Sequence, residues 1–366
     1  MHDANQSAGG RLSDPAQDEA RKQREKDIQA FAERHLAGEN QDLYQELMVT
    51  LCRMARDQAD RGDVKLVNRA MAELRYALKI FAPYQHTRKI SIFGSSRTPE
   101  SHADYQAAVR FASLMREAGW MVITGAGDGI MKAGHGGAGR QASFGVAIRL
   151  PFEQRTNEII ADDPKLVNFR YFFTRKLMFV KEASAVALFP GGFGTQDEGF
   201  EVLTLVQTGK AELVPLVMVE RPGGTYWRQW HAYVATQLLR NNMISEQDLS
   251  LFRIADSVEA AVEDIVTFYR VYHSQRYVGD DLLLRLNTPL PPAFIDRLNG
   301  EYAPRITLGG AGRIEQVAAL PEEGAEEPGK PRLRIPFDKR SFGRLRRMID
   351  AINRFDQPAA TVPVAE

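Results

Sequence analysis

Ala185-Val186-Ala187-Leu188-Phe189 runs into Pro190-Gly191-Gly192-Phe193-Gly194-Thr195-Gln196-Asp197-Glu198, and then into Phe200-Glu201-Val202-Leu203-Thr204-Leu205. An apolar run, a glycine-rich turn and an amphipathic stretch, in that order, predict strand, loop and helix. The glycines of the turn let the backbone approach a ligand closely. Amides at the helix start favour an anion such as a phosphate. Thr195 caps the helix in this reading and offers a hydroxyl. Glu198 falls about one turn further on. A carboxylate there repels phosphate; it suits ribose hydroxyls or a developing positive charge. A capping box, with Glu198 returning to the Thr195 amide, accounts for the same spacing. Spacing alone does not choose between the two.

Outward from this stretch, short apolar runs alternate with helical ones. Strands are expected at Ile90–Phe93, Met121–Thr124, Phe144–Ile148, Leu216–Val219 and Leu251–Ile254, and helices at 102–118, 170–183, 196–208, 226–239 and 256–270. Such alternation implies an α/β fold with a doubly wound parallel sheet. Ligands on these sheets bind at the carboxyl ends of the strands. Two further glycine-rich turns lie at those ends. One is Gly94-Ser95-Ser96-Arg97; the other is Gly125-Ala126-Gly127-Asp128-Gly129-Ile130-Met131. The second is not a dinucleotide fingerprint, because Ile130 stands where a glycine is required and no acidic residue ends the following strand. No Gly-Lys-Ser/Thr follows, so it is not a Walker loop either. A tight, crowded turn explains it nearly as well as a phosphate loop.

The flanking regions read differently. Residues 1–25 are polar and are expected to be a disordered tail. The region 26–87 is expected to be helical, with Leu43, Leu47, Leu51 and Met54, then Val64, Val67, Met71, Leu74 and Leu78, at helical spacing. The nucleotide-binding catalytic domain is expected over 88–270. Residues 271–366 read as a small α+β appendage with a flexible tail. Its strands are expected at 282–286 and 332–337, and a basic helix at 339–353 carries Arg344, Arg346 and Arg347. The acidic stretch Pro321 to Lys330 reads as a loop.

Composition sets outer bounds. The chain has 366 residues, and its 47 Lys plus Arg balance 47 Asp plus Glu. A net charge of zero argues against broad nucleic-acid binding. The single cysteine, Cys52, forms no internal disulfide, and no Cys/His group has zinc spacing. No apolar run approaches the roughly 18 residues of a membrane span. A cytoplasmic protein without metal, cofactor or membrane partner is the expectation. His135, in Gly134-His135-Gly136-Gly137, reads as a packing residue.

Arg175-Lys176 lies on the helix that enters the strand at Ala185. Two adjacent cations among Phe172, Leu177, Met178 and Val180 suit an anion nearby, or solvation of both. Together with Pro-Gly-Gly-x-Gly-Thr-x-x-Glu at 190–198, and with the turns at 94–96 and 125–131, they resemble the Lonely Guy (LOG) family. Its members are nucleoside 5′-monophosphate phosphoribohydrolases, often labelled lysine decarboxylases. The likeness covers roughly 88–270 and is closest in style to the larger bacterial members. It implies a Rossmann-like fold and a homodimer with the active site near the subunit interface. It places the catalytic pair on Arg175 and Glu198. The phosphate loop falls on Gly191, Gly192, Gly194 and Thr195. Gly94, Ser95, Ser96, Gly127, Gly129, Met131 and Lys176 complete the nucleotide pocket. Many cytokinin-activating members read Met-His-x-Arg-Lys, where this chain has Phe172-Phe173-Thr174-Arg175-Lys176.

The implied reaction is hydrolysis of the N-glycosidic bond of AMP or a related monophosphate to free base and ribose 5-phosphate. Glu198 would stabilise the oxocarbenium-like state. The alternative is a non-catalytic carrier of a nucleotide or of molybdenum cofactor on the same fold. Decarboxylation of lysine fits less well, since no lysine is marked out for a Schiff base.

Overall fold

The structure is a computed structural model and describes residues 15–36, 38–149, 156–324 and 326–355. The chain forms two compact units, Met1–Ala72 and Glu73–Glu366.

The first unit holds helices α1 (Pro15–His35) and α2 (Gln41–Arg56) and the first half of α3 (Arg61–Phe81). Of the tail expected over 1–25, residues 1–14 lie outside the described residues, and 15–25 belong to α1. Helix α2 buries none of its residues, and Leu43, Leu47 and Leu51 stay exposed along it.

The second unit is built on seven strands. In chain order they are β1 (Lys89–Phe93), β2 (Met121–Thr124), β3 (Ser143–Ile148), β4 (Leu166–Phe169), β5 (Ala185–Leu188), β6 (Leu216–Val219) and β7 (Arg253–Ala255). All pair in parallel, in the order β4-β3-β2-β1-β5-β6-β7. Helices α4 (Ala103–Glu117), α5 (Ile130–Ala138), α6 (Phe172–Lys181), α7 (Phe193–Gln207), α8 (Tyr226–Tyr233) and α9 (Val258–Phe268) connect or follow the strands. This is a doubly wound, Rossmann-like fold.

The central strands read as apolar runs because both of their faces are covered. Their residues divide with period two. Ile90, Val122, Ala187 and Val217 pack with Phe111 of α4 and Ile265 of α9. Phe93, Ile123, Leu188 and Met218 join Phe179 of α6, Val202 of α7 and Phe81 of α3 in a second core. The chain turns one way from β1 to β2, and the other way to β5. The two halves therefore part at the carboxyl ends of β1 and β5, which is where an open α/β sheet takes its ligand.

Strands β4 and β7 depart from expectation. Leu166-Val167-Asn168-Phe169 is short and exposes Asn168 at the sheet edge, so it lacks the apolar signature of a buried strand. Leu251 ends a 3-10 turn, and β7 begins at Arg253.

The C-terminal part adds an antiparallel sheet of β8 (Tyr272–Val278), β9 (Asp281–Leu286), β10 (Glu315–Val317) and β11 (Arg332–Ile335), ordered β10-β11-β9-β8. Helices α10 (Pro292–Glu301), α11 (Ala303–Ile306) and α12 (Phe342–Asn353) accompany it. Leu282, Leu284, Leu333, Ile349 and Ile352 belong to the same core cluster as Leu188 and Met218, so the appendage is continuous with the main sheet. The basic run on α12 is internally occupied. Buried Arg346 reaches Asp350 at 2.9 Å and Asp264 at 3.4 Å, and Arg344 donates to the Arg305 carbonyl at 3.1 Å. Among the described residues no helix is long and apolar enough to cross a membrane.

Inside the acidic loop, Glu323 is buried between Arg332 at 3.0 Å and Arg285 at 2.9 Å. Removing one member of such a group leaves buried charge without a partner. We expect Glu323→Ala to cost about 3–5 kcal/mol in denaturant unfolding, because fully buried Arg332 loses its carboxylate while Arg285 keeps Glu326 at 2.9 Å. A loss under about 1 kcal/mol, the range of an exposed pair, would mean that water reaches the cluster.

Candidate functional site

Three turns meet at the carboxyl ends of β1, β2 and β5, and Ser95 joins them. Its N–H donates to the Pro190 carbonyl at 3.1 Å, and its carbonyl accepts the Ile130 N–H at 3.0 Å. The approach is so close that side chains are excluded. A Cβ on Gly191 would lie 2.1 Å from Thr195 Oγ1 and 2.9 Å from Ser95 N. Gly129 has φ +61°, and a Cβ there would lie 2.2 Å from the Ser95 carbonyl oxygen. Gly191 and Gly129 are thus required by the chain itself.

Gly192 and Gly194 are different. A Cβ at either would meet nothing within 4 Å, and neither has positive φ. Both border the cleft. Nothing inside the described chain requires their lack of a side chain; at the cleft it leaves the backbone open to close approach.

The cleft has a volume of about 780 Å³, within the usual range for small-molecule sites. Gly94, Ser95, Ser96, Gly127, Met131, Arg175, Gly191, Gly192, Gly194, Thr195 and Glu198 all line it, as do Arg97 and Tyr226. Of the residues expected from sequence, Gly129 and Lys176 do not. Gly129 supports the turn from behind. Lys176 pairs with Asp197 at 2.9 Å and Glu201 at 2.7 Å.

Helix α7 starts at Phe193 with Gly192 as its N-cap, and no side chain caps it. The Thr195 amide donates to the Gly192 carbonyl at 3.1 Å. Thr195 is therefore inside the first turn, not at the cap. Glu198 is too far along the helix to close a capping box, and that reading is set aside. The N–H groups of Gly192, Phe193 and Gly194 donate to no acceptor among the described residues. Consecutive free amides at a helix start form an anion-binding concavity.

Glu198 and Arg175 face each other across the deeper part of the cleft. Arg175 Nη2 lies 3.7 Å from Glu198 Oε1; Glu198 is buried and Arg175 half-buried. Arg175 Nε and Glu198 Oε2 have no hydrogen-bond partner among the described residues. Burial pushes the Glu198 carboxyl up to about 7, against the opposing pull of Lys176 and Arg175. Burial also lowers the Arg175 guanidinium from its ordinary value, although Glu198 favours its charge. The rings of Phe172 and Phe179 lie 5.1 and 5.6 Å from the guanidinium carbon.

The supporting residues carry no motif. Glu73 of α3 accepts from the Arg170 N–H at 3.0 Å and from Thr174 Oγ1 at 2.9 Å, fixing the start of the helix that bears Arg175. His135 is fully buried against Thr124 Oγ1 at 3.0 Å, the Phe144 carbonyl at 3.1 Å and Asn157. Asn157 in turn donates to the Gly127 carbonyl at 3.0 Å. Burial lowers the His135 pKa, so the neutral ring packs behind the turn.

Residues 127–265 match the family model described as possible lysine decarboxylase. The match begins in the second glycine-rich turn and runs past the turn at 190–198. No curated protein matches the chain. An X-ray structure of a structural-genomics target is 19% identical, covering 49% of this chain and 99% of its own, with a TM-score of 0.37. The molybdenum cofactor binding protein of Rippkaea orientalis is 17% identical, covering 50% of this chain and 96% of its own, with a TM-score of 0.36. The molybdenum cofactor carrier protein of Chlamydomonas reinhardtii is 16% identical, covering 49% and 96%, also with a TM-score of 0.36.

The glycines of the turn at 190–194 differ in a way that substitution reads out. Gly192→Ala adds a methyl group that meets no protein atom, so the melting temperature is expected to stay within about 2 °C of the parent. Affinity for inorganic phosphate, measured by calorimetry, should fall. Gly191→Ala should lower the melting temperature, because the added carbon runs into Thr195. Unchanged phosphate affinity in a folded Gly192→Ala protein would mean that the ligand does not touch this turn.

Proposed function

We propose that the chain hydrolyses the N-glycosidic bond of a nucleoside 5′-monophosphate, AMP or a related one, to free base and ribose 5-phosphate. One observation carries this reading. A row of free amides at 192–194 and the unpartnered, facing polar atoms of Arg175 and Glu198 open into one cleft. The amides suit the phosphate. The carboxylate suits the sugar, where positive charge develops.

In the reaction the C1′–N bond breaks and its electron pair leaves with the base. The oxygen of water bonds to C1′, and a proton from that water ends on the base. Positive charge spreads over C1′ and the ring oxygen in the transition state. A carboxylate held in a buried site stabilises that charge far more than one in water. Ionised Glu198 is placed for this, and its second oxygen is left to orient water or a ribose hydroxyl. Arg175 helps keep Glu198 ionised once substrate displaces solvent. Lysine decarboxylation is less well served: no lysine lines the cleft among the described residues, and Lys176 is held by two carboxylates.

We also propose that two copies associate over the exposed apolar surface beside the cleft. Phe193, 95% exposed, stands at the cleft, and Phe172, Phe173 and Leu177 are exposed on α6 nearby. Burying such a patch between copies removes it from water. Light scattering on the parent and on Phe173→Asp tests this: a dimer that the substitution splits supports it, and a monomeric parent removes it.

Glu198→Gln keeps the shape and removes the charge. Turnover should fall on the order of 10²–10⁴-fold with nucleotide binding largely kept. Base release from a panel of monophosphates, read by chromatography, is the measurement. Near-parental release by the variant would end the catalytic assignment. Tight binding by the parent with no release of any base would make the protein a carrier instead. Selectivity is a separate test. The free amides reward an anion, so AMP should be cleaved and adenosine hardly at all; equal rates would give the amides another purpose.

The raised Glu198 pKa has two signs to check. The ionised carboxylate is the active form, so kcat/KM should rise with pH through about 7 and then level. Stability runs the other way. A folded-state pKa above the unfolded one favours folding at low pH, and that contribution is lost as pH rises from the ordinary glutamate value through about 7. Glu198→Gln should therefore melt above the parent at pH 8, with the difference shrinking toward pH 5. A parent that gains stability on Glu198 ionisation would show that the carboxylate has a partner in the folded protein.

A further inference from the structure

The Gly191–Gly192 peptide has no side chain on either side to hold it. Two glycines make rotation of the peptide plane inexpensive. Its orientation matters, because in a trans peptide the carbonyl of one residue and the N–H of the next point to opposite sides. Turned one way, the Gly192 N–H joins the free amides of Phe193 and Gly194. Turned the other way, the Gly191 carbonyl takes its place and repels an anion.

Tyr226 settles the orientation. Its hydroxyl donates to the Gly191 carbonyl at 2.5 Å. Gln196 Nε2 donates to the same hydroxyl oxygen at 2.7 Å. A phenol has one hydrogen to give. With its oxygen accepting from Gln196, that hydrogen is left for Gly191, and the two bonds reinforce each other. The tyrosine is itself firmly placed. It opens α8, where the buried Glu220 carboxylate accepts the Trp227 N–H at 2.6 Å. Trp227 is fully buried, and its ring meets the Tyr226 ring edge-on at 4.8 Å.

We propose that Tyr226 is a positioning residue for the phosphate of the substrate: it locks the Gly191–Gly192 peptide so that the Gly192 N–H is presented to the anion. The inference rests on the nucleotide reading above, and adds to it a residue outside the glycine-rich turn. Tyr226 acts through the loop and not on the bond that breaks. Its loss therefore falls on binding of the phosphate more than on the chemical step.

Tyr226→Phe removes the hydroxyl and keeps the ring. Ribose 5-phosphate affinity is measured by calorimetry, and KM and kcat with a monophosphate by base release. We expect the dissociation constant and KM each to rise about tenfold, with kcat within about threefold of the parent. The affinity for the matching nucleoside, which has no phosphate, should not move. Gln196→Leu should shift the same quantities in the same direction by less, and stands in if the tyrosine variant fails to fold. Unchanged ribose 5-phosphate affinity in a folded Tyr226→Phe protein overturns the proposal. So does an equal loss of nucleoside affinity, which marks general damage to the cleft, and so does a parent that does not bind ribose 5-phosphate. Because that binding needs no turnover, the two readings fail separately. A parent that binds ribose 5-phosphate but releases no base overturns hydrolysis and leaves the Tyr226 measurement valid.

Discussion

The backbone of Ser95 donates to Pro190 and accepts from Ile130, and through those two bonds the ends of three strands become one site. A parallel sheet alone places its loops on the same side but does not bring them into contact. Here the reversal of strand order at β1 and β5 sets two loops next to each other, and the glycines at 191 and 129 let them close to backbone distance. The site follows from that closure. The turn at 190–194 is held against the turn at 94–97, so the first amides of α7 face a shared cleft. Arg175 enters from the helix preceding β5 and Glu198 from the helix following it. The amides and Glu198 share α7 while Arg175 comes from α6, and the Ser95 contacts hold the turns at 190 and 130 together.

Electrostatics then divides the cleft. At the start of α7 the free amides and the helix dipole provide positive potential without a mobile charge. Deeper in, Glu198 sits with Arg175 at 3.7 Å, beyond a hydrogen bond. A closed ion pair would satisfy both groups and leave nothing for a substrate. The longer separation leaves one atom on each without a partner, and burial makes that costly. A ligand that offers a hydroxyl or a developing cation to Glu198 recovers the cost in the complex. The same arrangement raises the Glu198 pKa, since burial outweighs the pull of the cations beside it.

Much of this was legible in the sequence where residues were constrained from two sides. Strand β5 and the turn after it could be read because an apolar run, three glycines and a helix start coincide within 21 residues of chain, 185–205. The placement of Arg175 and Glu198 came from the resemblance that those residues carry. What escaped reading was constrained from one side only. Strand β4 is four residues long. Strand β8, reading Tyr272-His273-Ser274-Gln275-Arg276-Tyr277-Val278, lies at a sheet edge. An edge strand has fewer neighbours to demand an apolar side chain, so its pattern fades. The basic run on α12 misled in the other direction: Arg346 is charged yet buried, because Asp264 and Asp350 stand opposite it. No local rule reports partners that far away in the chain.

The same reason hides the residues that support the site. Glu73, Asn157 and Tyr226 act on the turns from other elements, at sequence separations of 97, 30 and 35 residues. Each holds backbone atoms of Arg170, Gly127 or Gly191, and backbone atoms leave no trace in a motif. A glycine-rich loop pre-organised by its own side chains would announce itself; one with glycine at three of the five positions 190–194 has few to use. It must borrow stiffness from neighbours, and the neighbours are free to be any residue that reaches. The bareness that leaves Gly192 and Gly194 open to the cleft is therefore also the reason that the loop depends on distant groups. The groups that stiffen the turns at 127 and 191, Asn157 and Tyr226, thus lie outside the motifs that carry those turns.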